Sequence, residues 1–154
     1  MGIFGLGNNV DTDILAKTPI FQGFSADELK AVAKLARRRE VSAGDRFIEQ
    51  GRFGDACYVI SEGNANVFFG GTYVTTVTEG SAVGEMALME RRPRNATVVA
   101  DTDMVLAEFA IEDFRKLLDL FPAAKLRVEE LLNRRLLENA TGVDASEQNT
   151  GQES

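Results

Sequence analysis

Residues 83–100 read VGEMALMERRPRNATVVA, a short apolar turn and an apolar strand joined by a basic segment. Gly84 and Glu85 stand at the start of the turn, and Pro93 and Arg94 stand just before the strand. Proline fixes its own backbone angle φ, so Pro93 restricts the positions that the Arg94 side chain can reach. A guanidinium held in this way can make two charge-assisted hydrogen bonds to a phosphate.

The residues around Gly84 are suited to a phosphorylated sugar. Gly84 has no side chain, which lets a ligand approach its backbone, and a helical turn over 85–89 presents backbone N–H groups to an anion. The ionised Glu85 carboxylate accepts hydrogen bonds and is therefore suited to the hydroxyl donors of a sugar. From the residues alone, a β-turn with a surface salt bridge from Glu85 or Glu90 to one of the arginines explains the stretch equally well.

Composition limits the functions that the chain can carry. The 154 residues include 17 basic and 24 acidic side chains, giving a net charge of −7, which argues against a nucleic-acid surface. There is no histidine, the commonest metal ligand and general base, so we expect neither a metal site nor an enzyme. Cys57, the single cysteine, is interpreted as a small buried hydrophobic residue. No apolar run is long enough to insert into a membrane, and we expect a cytoplasmic protein.

The pattern along the chain predicts an α+β, mainly β, domain. Short β-rich runs separated by glycine-containing turns predict an antiparallel sandwich or barrel between two helical regions. The predicted segments are a flexible N-terminus 1–10, helices within 11–38, β-strands within 40–110, two helices within 111–139 and a disordered acidic tail 140–154.

Local signals define the ends of the predicted helices. Ser25 and Glu28 form a capping box, which marks a helix start. Arg37–Arg39 are interpreted as the solvated C-terminal end of that helix, where positive charge favours the helix dipole, in preference to an anion site. Pro122 separates the last two helices. In the second of these, Val128, Leu131 and Leu132 form an apolar stripe that packs on the domain or, as an alternative, on a second copy in a homodimer.

Two blocks of the opening stretch resemble the phosphate-binding cassette of the cyclic nucleotide-binding domain family. They are GEMAL at 84–88 and PRNATV at 93–98, and glycine-marked turns and flanking helices extend the resemblance over about 12–139. The resemblance implies an eight-stranded antiparallel β-roll, also called a jelly-roll barrel, with N-terminal helices and a short cassette helix. It also implies a hinge helix at 112–120 and a lid helix at 122–139.

The resemblance also implies a binding site. Glu85 would bind the ribose 2′-hydroxyl, Arg94 the cyclic phosphate, and backbone N–H groups near Gly84, Ala87 and Ala96 would complete the phosphate cradle. Asn133 and Arg134 on the lid helix are candidates for contacts with the base. The full set of expected ligand-binding residues is Val83, Gly84, Glu85, Met86, Ala87, Arg94, Asn95 and Ala96.

Two positions depart from the family pattern. Val83 stands where the family usually has an aromatic residue, and Asn95 occupies the position that influences the choice of base. Asparagine both donates and accepts hydrogen bonds, so it does not by itself separate cAMP from cGMP. We expect cAMP, because bacterial members of the family more often use it. Arg91 and Arg92 are interpreted as solvated spacer residues.

These observations favour a non-catalytic cyclic nucleotide sensor that signals to an effector protein in trans through its C-terminal helices. One alternative is a module or fragment of a larger regulated protein, such as a transcription regulator, channel or enzyme. Only 15 residues follow Asn139, none of them basic, so we expect no DNA-binding domain there. The lack of histidine disfavours a metal-dependent barrel enzyme. The presence of both Glu85 and Arg94 disfavours a ligand-free protein-interaction module.

Overall fold

The computed structural model describes residues 10–89 and 92–140. The predicted N-terminus 1–10 and tail 140–154 lie almost entirely outside these residues, as does Arg91. The helices within the described part are α1 (Thr12–Lys17), α2 (Ala26–Leu35), α3 (Ile111–Asp119) and α4 (Pro122–Ala140), with 3-10 turns at Pro19–Phe21 and Glu85–Leu88.

In the part of the chain that the structure describes, eight strands form two antiparallel four-stranded sheets. The first sheet has the order β1-β8-β3-β6 and the second β2-β7-β4-β5. This confirms the predicted mainly β roll with flanking helices. The strands are β1 (Arg37–Val41), β2 (Arg46–Ile48), β3 (Ala56–Glu62), β4 (Ala65–Phe69), β5 (Thr72–Val77), β6 (Ala82–Val83), β7 (Thr97–Ala100) and β8 (Met104–Ala110).

Strand β3 separates two hydrophobic cores. Its first five residues, Ala56–Ile60, are all buried, because side chains that alternate along the strand face two different layers. Tyr58 and Ile60 point into the roll, while Cys57 and Val59 pack under the helices. A strand buried on both faces reads as a continuous apolar run, which explains the sequence ACYVI.

The helices form one layer over the first sheet. Ser25 accepts from the Glu28 backbone N–H, and the Glu28 carboxylate accepts from the Ser25 N–H, so the predicted capping box is confirmed. On α4, Val128 and Leu132 are 2% and 1% exposed and belong to the helix-layer core. The apolar stripe of α4 therefore packs within the chain, as preferred from the sequence.

The interpretation of Arg37–Arg39 as a helix end was wrong. Helix α2 ends at Leu35, Ala36 adopts an extended conformation (φ −71°, ψ 144°), and the three arginines lie on β1. Their register partners on β8 run from Glu108 to Leu106. The ladder with this distant strand outweighs the good local helix propensity of arginine, and the helical region is shorter than the predicted 11–38.

Other boundaries differ by one or two residues. The cassette turn ends at Leu88 rather than Met89, and the predicted hinge helix begins at Ile111. Within the described residues, no helix combines the length and the apolar character needed to cross a membrane.

Candidate functional site

The cassette turn begins at a glycine that the backbone requires. Gly84 lies between β6 and the turn with φ 80° and ψ 10°, in the left-handed region. A Cβ added there would lie 2.8 Å from Arg94 Nη1 and 3.4 Å from the Ala56 carbonyl oxygen. Both the conformation and the crowding disfavour any other residue. The Ala87 N–H, one of the expected phosphate donors, makes a long bond of 3.4 Å to the Gly84 carbonyl.

The Arg94 guanidinium is fixed by backbone carbonyls. Nη2 donates to the Ala56 carbonyl at 2.6 Å, and Nη1 donates to the Gly84 carbonyl at 3.2 Å. The Arg94 backbone is held as well, since its N–H donates to the Arg52 carbonyl and its carbonyl accepts from the Gly51 N–H, both at 2.8 Å. These bonds add to the restriction from Pro93 and leave the guanidinium half-buried at the edge of the site.

Glu85 is a buried carboxylate, 8% exposed, at the first position of the turn. Arg135 Nη1 on α4 donates to its Oε2, and the two side chains are 13% and 11% exposed. Little solvent reaches this ion pair, so its strength is screened less than that of a surface pair. The pair links the cassette turn to the last described turns of α4.

One cavity contains all eight residues that the sequence predicted for the ligand. Apolar residues of the roll line it together with the carboxylate of Glu85 and the cations Arg92, Arg94 and Arg135. This surplus of positive charge suits an anion. The cavity is lined by Ile48, Val67, Val77, Ala82, Val83, Gly84, Glu85, Met86, Ala87, Arg92, Pro93, Arg94, Asn95, Ala96, Val98, Arg135 and Leu136.

The structure does not bring the expected lid residues into this cavity. Asn133 and Arg134 are exposed on α4, whereas Arg135 and Leu136 line the cavity. Arg135 follows the buried residues Val128 and Leu132 at helical spacing and therefore lies on the same face of α4. This spacing is the feature of the sequence that pointed to Arg135.

Sequence reasoning also missed Arg115 on α3. Its Nη2 donates to the Leu88 carbonyl at 2.9 Å and to the Ala87 carbonyl at 3.2 Å, and its Nε donates to Leu88 at 3.3 Å. These carbonyls end the cassette turn, where a helix leaves acceptors unsatisfied. Arg115 therefore ties the turn to α3.

Cys57 lies beneath the site without taking part in it. The pKa of its thiol is raised from 9.0 to about 12, mainly by burial and also by the Glu85 charge, while the Arg94 charge opposes the increase. The thiol is therefore protonated at neutral pH, which is typical of a structural cysteine.

Comparison with known proteins agrees with this geometry. The profile of the family described as "Cyclic nucleotide-binding domain" matches residues 38–120. A cAMP-dependent protein kinase regulatory subunit from Debaryomyces hansenii is 33% identical over 120 residues, 77% of this chain and 25% of that protein. Glutaminase 1 from Bradyrhizobium diazoefficiens is 31% identical over 150 residues, 92% of this chain and 24% of that protein.

A solved structure described as the regulatory domain of Toxoplasma gondii PKA with cAMP has a similar fold. It superposes with a TM-score of 0.64 and 26% identity, covering 69% of this chain and 42% of that one. The chain spans about a quarter of the length of the two curated relatives. The domain shared with them is of a regulatory kind.

Proposed function

Because the chain belongs to the cyclic nucleotide-binding domain family, we propose that it binds a cyclic nucleotide, cAMP rather than cGMP, without catalysis. The observation that carries the proposal is the convergence of Arg94 and Glu85 on one cavity, from opposite ends of the cassette. Support for cAMP comes from the related kinase regulatory subunit and from the superposing PKA regulatory domain described with cAMP.

The proposed phosphate position lies beside Arg94. Two backbone carbonyls orient this guanidinium before any ligand arrives, so little conformational entropy is lost when it binds an anion. Apolar residues that line the cavity lower the local polarity, which strengthens charge-assisted bonds to the phosphate oxygens.

The proposed ribose position lies beside Glu85, whose carboxylate would accept from the 2′-hydroxyl. Arg135 already donates to this carboxylate, so a ribose either shares it with Arg135 or displaces it. In both cases the ligand changes the environment of the α4 ion pair. A ligand that favours one arrangement of α4 shifts the population of the two, which is how we propose that binding is signalled.

The base would lie towards α4, near Arg135 and Leu136, in the cavity that Asn95 also lines. Asn133 and Arg134 would reach a base only if α4 turned on binding. We propose that this rearrangement acts on an effector protein in trans in the cytoplasm, or on other parts of a longer chain. The second possibility draws support from the relatives, which are about four times as long as the matched region.

Calorimetric titration of the purified protein with cAMP, cGMP and 5′-AMP tests the proposal. We expect saturable binding of cAMP, weaker binding of cGMP and little binding of 5′-AMP, whose phosphate is not cyclic. Stronger binding of cGMP would overturn the choice of base, and no binding of either cyclic nucleotide would overturn the function. Hydrogen exchange of α4 amides with and without cAMP tests the signalling step, and identical exchange would contradict it.

A further inference from the structure

We propose that Gly54 is a positioning residue for Arg94, an assignment whose effect on binding rests on the proposed function. Gly54 lies in the loop between β2 and β3, outside the cavity lining. A Cβ added to Gly54 would lie 2.2 Å from Arg94 Nη2, 2.3 Å from Nε and 2.4 Å from Cζ. The guanidinium therefore occupies the space that any other side chain at this position would fill.

Because Gly54 has no side chain, the Arg94 guanidinium can occupy the position from which it donates to the carbonyls of Ala56 and Gly84. Nη2, the atom nearest the added Cβ, donates the shorter of these two bonds, 2.6 Å to Ala56. A carbon atom and a nitrogen atom need about 3.5 Å between them, so the guanidinium would have to move by roughly 1 Å or more. A displacement of that size breaks a hydrogen bond of this length.

Gly54 differs from the other described glycines in what its replacement would disturb. Its φ lies outside the left-handed region, whereas eight others, including Gly44 and Gly84, have positive φ. Alanine therefore fits the backbone at position 54, and the three nearest atoms all belong to the end of a flexible side chain. The variant relieves the clash by moving Arg94, so it changes the anion site more than the fold.

The variant Gly54→Ala separates these two effects. By calorimetry we expect cAMP to bind it about 10-fold to 100-fold more weakly, the loss that corresponds to one misplaced charged hydrogen bond. In an Arg94→Ala background the same substitution is expected to change affinity by less than about 2-fold, because its target is gone. The unliganded melting temperature is expected to stay close to that of the parent.

Gly44→Ala is the matched control. Gly44 has φ +93° and nothing within 4 Å of an added Cβ, so this variant adds backbone strain without touching Arg94. It is expected to lower the melting temperature and leave cAMP affinity unchanged. A loss of affinity at Gly54→Ala that is equally large in the Arg94→Ala background would overturn the assignment.

The position of Arg94 in the unliganded variant gives a readout that needs no nucleotide. A crystal structure of Gly54→Ala is expected to have the guanidinium away from the Ala56 carbonyl, and a guanidinium in its original place refutes the assignment. If the parent protein binds no cyclic nucleotide, the proposed function fails while this structural test still decides the role of Gly54.

Discussion

Arg135 on α4 and Glu85 in the cassette turn form a nearly buried ion pair between residues 50 positions apart in the sequence. The pair joins the carboxylate proposed for the ribose to the helix proposed to report binding. The state of α4 and the state of the ribose site are therefore linked before any ligand arrives.

This link predicts energetic coupling between the two side chains. We expect Glu85→Gln and Arg135→Gln each to destabilise the unliganded protein, with a coupling free energy of about 1–3 kcal/mol between them, because removing one partner leaves the other charge buried. Urea unfolding of the two single variants and the double variant measures it. The exposed pair Lys125–Asp119 is the control, for which we expect no measurable coupling. Additive effects at Glu85 and Arg135 would contradict the prediction.

Arg94→Ala is expected to weaken cAMP binding by roughly 2–4 kcal/mol, since it removes the charged donor proposed for the phosphate. Calorimetry measures the change, and thermal unfolding without ligand checks that the fold survives. Arg52→Ala is the control, because its side chain is 76% exposed and pairs only weakly with Glu49 at 3.7 Å. Equal affinities of Arg94→Ala and the parent would remove Arg94 from the site.

The role of Glu85 is tested by measuring how the parent and the Glu85→Ala variant each bind cAMP and 2′-deoxy-cAMP. The parent is expected to bind the deoxy compound more weakly than cAMP, because the Glu85 carboxylate loses its hydroxyl partner. The Glu85→Ala variant is expected to bind both compounds weakly and almost equally. If the variant still discriminates between them as the parent does, the 2′-hydroxyl lies elsewhere.

The packing of α4 predicts that truncating a side chain on its inner face lowers stability much more than truncating one on its outer face. Leu132 is 1% exposed in the helix-layer core, and Leu132→Ala is expected to cost about 2–5 kcal/mol of stability. Leu126 on the same helix is 58% exposed, and Leu126→Ala is expected to change stability by less than about 0.5 kcal/mol. Chemical unfolding at several protein concentrations measures both. A large, concentration-dependent loss at Leu126 would instead indicate a dimer through the outer face.

Cys57 makes stability depend on pH in the alkaline range. Its pKa is about 12 in the folded protein against an ordinary 9.0, so between these values the unfolded chain releases a proton that the folded protein keeps. The stability that depends on the protonated thiol is thus complete below pH 9 and falls by about 1.4 kcal/mol per pH unit between pH 9 and about 12.

Comparison of the parent with Cys57→Ala isolates this contribution. Burial also raises the pKa of Tyr58, but that effect is common to both proteins and cancels. The stability advantage of the parent is expected to shrink from pH 9 upwards in urea unfolding. An advantage that stays constant up to pH 11 would contradict the burial of the thiol.

The cassette could be predicted because its chemistry is local in sequence. Gly84, Glu85 and Arg94 lie within ten residues of one another, so the motif that they form is visible in a short stretch of sequence, although the Ala56 carbonyl and the Arg52 carbonyl also hold Arg94 in place. Arg135 was missed because its position depends on the rotation of α4, which packing fixes. The buried neighbours Val128 and Leu132 contained that information, but only once they were known to face inward.

Strand β1 could not be predicted for a different reason. No glycine or proline directly follows Leu35, and arginine is a good helix former, so local propensity favoured continuing the helix. The strand forms because Arg37–Val41 pair with Met104–Glu108, far along the chain. The role of Arg115 could not be predicted for the same reason, because the Leu88 and Ala87 carbonyls to which it donates lie 27 and 28 residues away in the sequence.

The position of Arg37–Arg39 has a consequence for aggregation. Among the strands that the structure describes, β1 is the edge of its sheet and pairs only with β8. Arg37 and Arg38 are exposed on this strand, whereas the partly buried Arg39 reaches over the sheet and donates to the Tyr58 hydroxyl on β3. Charged edges of this kind disfavour edge-to-edge addition. The exposed charges of Arg37 and Arg38 are therefore expected to disfavour the addition of a second strand at β1.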